Sequence, residues 1–342
     1  MKNRNLLLLL IGIAIVGIIG VRYYLNFQKD NVKKEGHFHI PTDASYAQVL
    51  DSIAPYIDNR ASFEKVAKSA KLQDRFYPGR YKVVEGKTNK ELVEMIQNGH
   101  QVDISFRIGD FNDVYQMMGR VALKTELDSA SFIKAFDKIA KEKGLSNAED
   151  LKKYFFIDTY NFFWTVKPEE FFGRFEKDYN DFWTKERIEK EENLGLSRNQ
   201  IYALASIVYQ ESGGKTDEQK TIAGLYLNRY RKGMKLQSDP TVIYAVNKDA
   251  NFQLEIKRVY YKYLTHPSPY NTYKNAGIPP GPICVVDKNS IDAVLNAENH
   301  NYIFMAADPS RPGLHRFTAS DSEHVRNARD YQQWLDQQEK NP

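Results

Sequence analysis

Glu211 is the residue whose type and position point most directly at chemistry. Leu204, Ile207 and Val208 recur at i, i+3 and i+4, and Glu211 follows at i+7, so a carboxylate continues an apolar helix face. Ser212-Gly213-Gly214 comes next, and glycine there is free to take the left-handed conformation that ends a helix. Burial against apolar neighbours disfavours the ionised form of such a carboxyl group, and the carboxyl end of a helix presents a partial negative charge. Both effects raise the pKa. A carboxylic acid held protonated near neutral pH is what a general acid for glycosidic cleavage requires. The alternative is a helix-terminal glutamate turned aside to solvent, and Glu-Ser-Gly-Gly alone does not choose between the two.

The elements that must position this residue can be read around it. Ser197-x-x-Gln200 has the spacing of a capping box and opens a helix predicted over 201–210. A second helix is predicted over 221–231, with Ile222, Leu225 and Leu227 apolar. Three segments follow: 234–244 (MKLQSDPTVIY), 269–273 (PYNTY) and 277–283 (GIPPGPI). Their proline and glycine stiffen the backbone, and their Gln, Ser, Asn, Thr and Tyr side chains both donate to and accept from sugar hydroxyls and acetamido groups. Asp239-Pro240 reads as the N-cap and first residue of another helix. Its rival role is a second carboxylate facing Glu211, as a two-carboxylate hydrolase would need.

The chain has 342 residues, 42% of them hydrophobic, with 48 Lys+Arg against 44 Asp+Glu for a net charge of +4. That balance belongs to a folded protein of two domains, or of one domain and a smaller module. It excludes a disordered tail, a collagen-like repeat and a multispanning membrane protein. Basic residues interleaved with acids give no reason to expect a nucleic-acid partner. Cys284 is the single cysteine, so there is no internal disulfide and no C-x-x-C pair, and its apolar setting reads as core. The seven histidines show no ligand spacing, and there is no G-x-S-x-G, P-loop or G-x-G-x-x-G, so neither a metal nor another cofactor is expected.

Lys2 and Arg4 precede an unbroken apolar run from Leu6 to Val21, followed by Arg22, Tyr23 and Tyr24. The length suits a membrane-crossing helix with a headgroup-level aromatic end. A cleaved signal peptide is the rival reading, but no small-residue cleavage site follows Gly20. Residues 1–27 are therefore expected as an anchor with a short cytoplasmic tail, held in an inner membrane through 6–25, with the remainder periplasmic. Lys29, Lys33 and Lys34 blunt the orientation signal. Residues 28–36 read as a linker. Over 37–100 a strand (37–40), a helix from Ser45, a strand (81–84) and a helix opened by Thr88-x-x-Glu91 suggest a small α+β module. The region 101–193 is expected to connect, with a strand over 103–108, aromatic-rich helices whose rings serve packing, and one solvated charged helix over 177–192. Residues 194–342 carry the chemistry, and His324 with the helix running to Trp334 and Leu335 reads as structural closure.

Taken together, LASIVYQESGG, LNRYRKGMKLQSDPTVIYAV, PYNTY, GIPPGPI and HRFTAS resemble the YceG-like endolytic murein transglycosylases, and the likeness runs from the anchor to the carboxyl terminus. The resemblance implies an α+β chain: an N-terminal transmembrane helix, a LysM-like module, and a mainly helical catalytic domain of lysozyme-like, lytic-transglycosylase type. It implies Glu211 as the single catalytic acid. It places Gln237, Ser238, Asp239, Tyr270, Asn271 and Tyr273 on the substrate, with His315 and Phe317 ranked below them. The implied substrate is peptidoglycan glycan, cut between N-acetylmuramic acid and N-acetylglucosamine with 1,6-anhydro ends, and peptidoglycan synthases are candidate partners. The sequence departs from the family pattern at Tyr209, where many members carry a second glutamate, and at Ile157, where proline is common before Asp158-Thr159-Tyr160. The first departure makes a carboxylate at 209 dispensable. A non-enzymatic glycan-binding scaffold and a muramidase remain the alternatives.

Overall fold

The computed structural model of the chain describes residues 2–109, 111–256 and 259–340. They fall into two compact units: one takes in the chain up to Phe106 with Val121–Asp128 and Asn161–Lys167, the other Arg107–Arg120, Ser129–Tyr160 and the chain from Pro168 onward. The architecture is α+β, with helices and small two-stranded sheets.

Helix α1 (Lys2–Tyr23) passes into a π-helical turn at Tyr24–Gln28. Between Arg4 and Gln28 this is, among the described residues, the one helix long and apolar enough to cross a membrane, and its leucines and isoleucines stand exposed. Its 22 residues rise about 33 Å, enough to span the hydrocarbon core of a bilayer.

Strand β1 (Gly36–Ile40), helices α2 (Tyr46–Ile53) and α3 (Arg60–Ser69), strand β2 (Gly79–Val83) and helix α4 (Asn89–Gln97) build the small module. The strands pair antiparallel, Gly36 opposite Val83 and Ile40 opposite Gly79. Side chains alternate across the sheet, so Phe38, Ile40, Tyr81 and Val83 enter the core, where Val49, Ile53, Phe63, Val66, Leu92 and Ile96 meet them. The anticipated cap of Thr88 with Glu91 forms, and a second capping box, Ser45 with Gln48, opens α2. Helix α3 was not anticipated, because its four charged residues match its four apolar ones in number and two of the latter are alanines. Nor do residues 28–36 behave as a free linker. Val32 is buried, and the Asn31 side chain donates to Asn89 Oδ1 (2.7 Å) and the Asn59 carbonyl (3.0 Å) while accepting from Asn59 N (2.8 Å).

Strand β3 (Ile104–Ile108) is followed by α5 (Val114–Ala122), α6 (Ser129–Glu142), a 3-10 stretch at Ala148–Tyr154, β4 (Asp158–Phe162), which pairs with β3, then α7 (Pro168–Phe182) and α8 (Lys185–Leu194). The aromatic run is core packing: the Phe136 and Phe155 rings stack at 6.2 Å, and Phe155 meets Phe175 at 4.8 Å. Two expectations are corrected here. Residues 158–162 form a strand where helix was expected, since Thr159 and the alternating aromatics suit a half-buried strand. The segment 177–192 is not one solvated helix. Phe171, Phe172, Phe175, Tyr179 and Phe182 bury one face of α7, Trp183 turns into the core, and extended Thr184 restarts the chain as α8.

The remaining elements are α9 (Arg198–Glu211), α10 (Gln219–Arg231), α11 (Asp239–Asp249), α12 (Tyr261–Leu264), α13 (Lys288–Leu295), the antiparallel pair β5 (Phe304–Ala307) and β6 (His315–Thr318), and α14 (Asp321–Lys340). Helix α9 is the axis of this core. Every residue from Ile201 to Val208 is buried, as expected of a helix packed on all sides, here by α10, α11 and α13. The segment 298–300 lies close against α10 at Gly224, where a Cβ would run into the Glu298 carbonyl oxygen and the His300 ring. Cys284 is buried, with its thiol beside the Ser206 carbonyl.

Candidate active site

Helix α9 opens on the Ser197–Gln200 capping box and ends at Glu211, with Ser212 as C-cap and Gly213 and Gly214 at positive φ. The half-buried Glu211 does not turn aside to solvent. Its Oε1 accepts two hydrogen bonds, from the Tyr226 hydroxyl of α10 (2.7 Å) and from Ser238 Oγ (2.6 Å). Among the described residues Oε2 makes none. Burial raises the pKa of Glu211; the two donors pull the other way, the nearby Asp239 charge pushes it up and His315 lowers it. The net effect is upward. Burial, and then the same carboxylate, push the Tyr226 hydroxyl well above its ordinary value, so it stays a donor.

Ser238 is placed by the segment before α11. Gln237 carries a left-handed φ of 56°, a conformation non-glycine residues rarely hold without support. The support is local. Gln237 N donates to the Thr272 carbonyl (3.2 Å), Ser238 N to Thr272 Oγ1 (3.0 Å), and the Arg229 guanidinium binds Gln237 Oε1. Arg229 also donates to the carbonyls of Lys235 and Ile303, which ties the 232–237 loop to α10 and to the approach of β5. Ser238, not Asp239, is the N-cap residue of α11, which corrects the expected Asp239-Pro240 cap by one position. Thr241 N donates to the Ser238 carbonyl, and the Ser238 side chain is spent on Glu211, so the helix starts without a side-chain cap. Asp239 instead accepts from the Tyr273 hydroxyl (2.6 Å).

These groups wall a cavity of about 390 Å³. Glu211, Gln237, Asp239, Tyr273 and His315 all line it, together with Tyr226, Arg229, the residues of β5 and His324. His315 is held firmly: its N–H and its ring Nδ1 both engage Glu218, at 2.9 Å. His324 stacks on Phe304, rings 4.7 Å apart, and burial lowers its pKa. The other expected residues lie elsewhere. Tyr270 lines a second cavity beside Tyr244. Asn271 is fully buried and spends its amide on the Leu264 and His266 carbonyls, bracing the loop that carries Tyr273. Phe317 packs on the core between His315 and Tyr302.

Sequence reasoning missed Tyr226, Arg229 and Glu218. Tyr226 and Arg229 stand at i and i+3 on a helix whose leucines drew attention to the other residues, and that spacing on one face was the available signal. Nothing in the local sequence ties Glu218 to a histidine 97 positions away. Among the described residues no cluster of His, Cys, Asp or Glu has the arrangement of a metal site.

The profile of the YceG-like family matches residues 38–330. This chain belongs to the YceG-like family. Among curated proteins it is similar to an endolytic murein transglycosylase of Bacillus subtilis, 36% identical over 148 residues, which are 43% of this YceG-like chain and 38% of that relative. A Streptococcus pneumoniae protein of the same name is 31% identical over 137 residues, 40% of this chain and 24% of the relative. The aligned stretches thus span well under half the length of both relatives. The crystal structure of a yceG-like protein from Listeria monocytogenes is similar with a TM-score of 0.56 at 25% identity, covering 86% of this chain and 99% of that one.

Proposed function

We propose that this YceG-like chain is a lytic transglycosylase that cuts peptidoglycan glycan between N-acetylmuramic acid and N-acetylglucosamine. The observation that carries the reading is the Glu211 carboxyl group, raised in pKa, with both of its donors on one oxygen. An oxygen that accepts two hydrogen bonds serves as the carbonyl oxygen of the neutral acid, so the proton resides on Oε2. Oε2 therefore protonates the leaving glycosidic oxygen while positive charge develops at the muramic C1. Tyr226 and Ser238 then stabilise the carboxylate that remains, since hydrogen bonds to an ionised acceptor are the stronger kind. That carboxylate takes the proton from the C6 hydroxyl as its oxygen attacks C1. A 1,6-anhydro end forms, the acid is regenerated and no water is consumed. The names of the relatives, endolytic murein transglycosylases, favour the same chemistry.

In this reading Gln237, Asp239, Tyr273 and His315 contact the glycan, while Ser238 sets the acid and Asn271 and Phe317 brace the walls. Helix α1 anchors the chain once through the inner membrane with the catalytic part periplasmic, and residues 37–100 act as a LysM-like glycan-binding module. Such a cut near a synthase would end the growth of a nascent strand. Asp239 lies in the same cavity and keeps a muramidase in view, because a second carboxylate is what a water-activating hydrolase uses. Mass spectrometry of glycan released from purified sacculi separates the two. Anhydro ends are expected; reducing ends without the anhydro mass would mean hydrolysis. Glu211→Gln is expected to abolish release with folding intact; release at the wild-type rate would remove Glu211 as the acid, and no release by the wild type would leave only a binding scaffold.

A further inference from the structure

The loop that delivers Tyr273 to the Glu211 cavity has a second side. Tyr270, three residues earlier, lines a separate cavity of about 420 Å³ within the same compact unit, and Tyr244 and Lys248 of α11 line it too. Helix α11 thus puts Asp239 in one cavity and Lys248 in the other. Nine residues of helix separate them, about 13 Å along the axis.

The second cavity holds an uneven set of charges. Lys152, Lys153 and Lys248 face Glu149 and Asp150, which leaves one net positive charge. Lys152 is buried and already committed: it lies 3.0 Å from Glu149 and donates to the Asn112 carbonyl. Lys153 and Lys248 are not. Among the described residues neither has a carboxylate within ion-pair distance, and each ammonium rests on aromatic rings instead, Lys153 5.6 Å from the Tyr154 centroid and Lys248 4.8 Å from Tyr270. Lys153 is half-buried; desolvation lowers its pKa, the Asp150 charge raises it and the Lys143 charge lowers it, and the net effect is downward. The remaining walls offer amide and hydroxyl partners, Asn147, Asn199 and Tyr115, backed by the stiff Pro280-Gly281-Pro282 turn.

A single uncompensated positive charge beside rings and amide-binding groups fits a monoanion carried on a short peptide better than a phosphate. A dianion would meet Glu149 and Asp150 at close range. On the strength of the function proposed above, we propose that this cavity binds the acidic peptide borne by the glycan, with Lys153 and Lys248 on its carboxylate and Tyr270 under its backbone. The enzyme thereby distinguishes peptide-bearing strands from bare ones through a site separate from the reacting carboxyl.

Titration calorimetry of the full chain in detergent micelles tests this with two probes, N-acetylmuramoyl-tripeptide and the uncharged amide of N-acetylmuramic acid. Lys153→Gln and Lys248→Gln remove the charge but keep a side-chain stem on the rings. Each is expected to raise the Kd for the peptide-bearing probe about tenfold while leaving the peptide-free probe and the melting temperature unchanged. Unchanged affinity for both probes, an equal loss for both, or displacement of the peptide probe by an equal concentration of inorganic phosphate overturns the proposal. The two readings fail separately. Wild-type protein that cuts strands while the lysine variants bind as it does loses the cavity and keeps the lyase. Wild-type protein that shows the charge-dependent peptide binding and cuts nothing loses the lyase and keeps the cavity.

Discussion

Tyr226→Phe isolates one bond in the acid's environment. Tyr226 is buried, so a phenylalanine ring fills the same space, and Ser238 keeps its 2.6 Å bond to Glu211 Oε1; only the 2.7 Å bond from the tyrosine hydroxyl is lost. A hydrogen bond to an ionised group is worth about 1.5–3 kcal/mol and one to a neutral group about 0.5–1.5. The carboxylate therefore loses roughly 1 kcal/mol more than the acid does. Losing a donor that favours the ionised form raises the pKa of Glu211 further. The active, protonated form survives to higher pH, and the alkaline limb of the pH profile of kcat/KM moves up by about one pH unit.

The same 1 kcal/mol acts in the opposite sense on the chemical step. The anion left after proton donation is less well stabilised, so the plateau rate falls roughly fivefold. Initial rates of anhydro-end formation from un-cross-linked strands across the pH range read both effects at once. A limb that moves down, or a profile identical to the wild type, would refute the assignment of Tyr226 as a donor to the ionising form of Glu211. A collapse of activity at every pH with a lowered melting temperature would instead mean that the hydroxyl holds the fold.

Three further outcomes follow from the same geometry. Glu211→Gln should gain thermal stability over the wild type as pH rises: the folded chain keeps a proton that the unfolded chain releases near about pH 4.3, so ionisation costs stability across the window from there up to the raised folded pKa, and no gain appears below it. Calorimetric melting over pH reads this, and a difference constant with pH counts against it. Glu218→Ala should release His315 and lower kcat/KM about tenfold with an unchanged circular dichroism spectrum, whereas Glu218→Gln, still able to accept from the His315 N–H groups, should restore most of the rate. Asn31→Ala strips partners from the Asn89 side chain and from the Asn59 N–H in the small module, and should cost about 1–3 kcal/mol, seen as a lower denaturant midpoint.

The sequence carried more about the acid than about its surroundings, and the reason is range. Glu211 sits at the end of a periodic apolar stripe, and the period of a helix is a local property; so were the capping boxes at Thr88 and Ser197, each of which forms. Where local pattern was ambiguous, tertiary packing decided. The charged stretch 177–192 looked solvated because its lysines and glutamates are numerous, yet Tyr179, Phe182 and Trp183 fix which face turns inward and where the helix breaks. Residues 28–36 looked like a linker because polarity was counted, and a buried asparagine with three partners is polar too.

The donors to Glu211 were harder still. Tyr226 lies 15 residues away on the next helix and Ser238 27 residues away, across a loop whose shape depends on a left-handed Gln237 held by Thr272 and Arg229. No sequence periodicity reports such closures, because each requires two distant elements to be in place first. The Asp239-Pro240 pair shows how narrow the margin is. Shifting the cap by one residue, to Ser238, frees the aspartate to take the Tyr273 hydroxyl and commits the serine to the acid. Had Asp239 been the cap, its carboxylate would have been spent on the first turn of α11. Its oxygens would then have faced the backbone of that turn, whereas in the cavity its charge raises the pKa of Glu211.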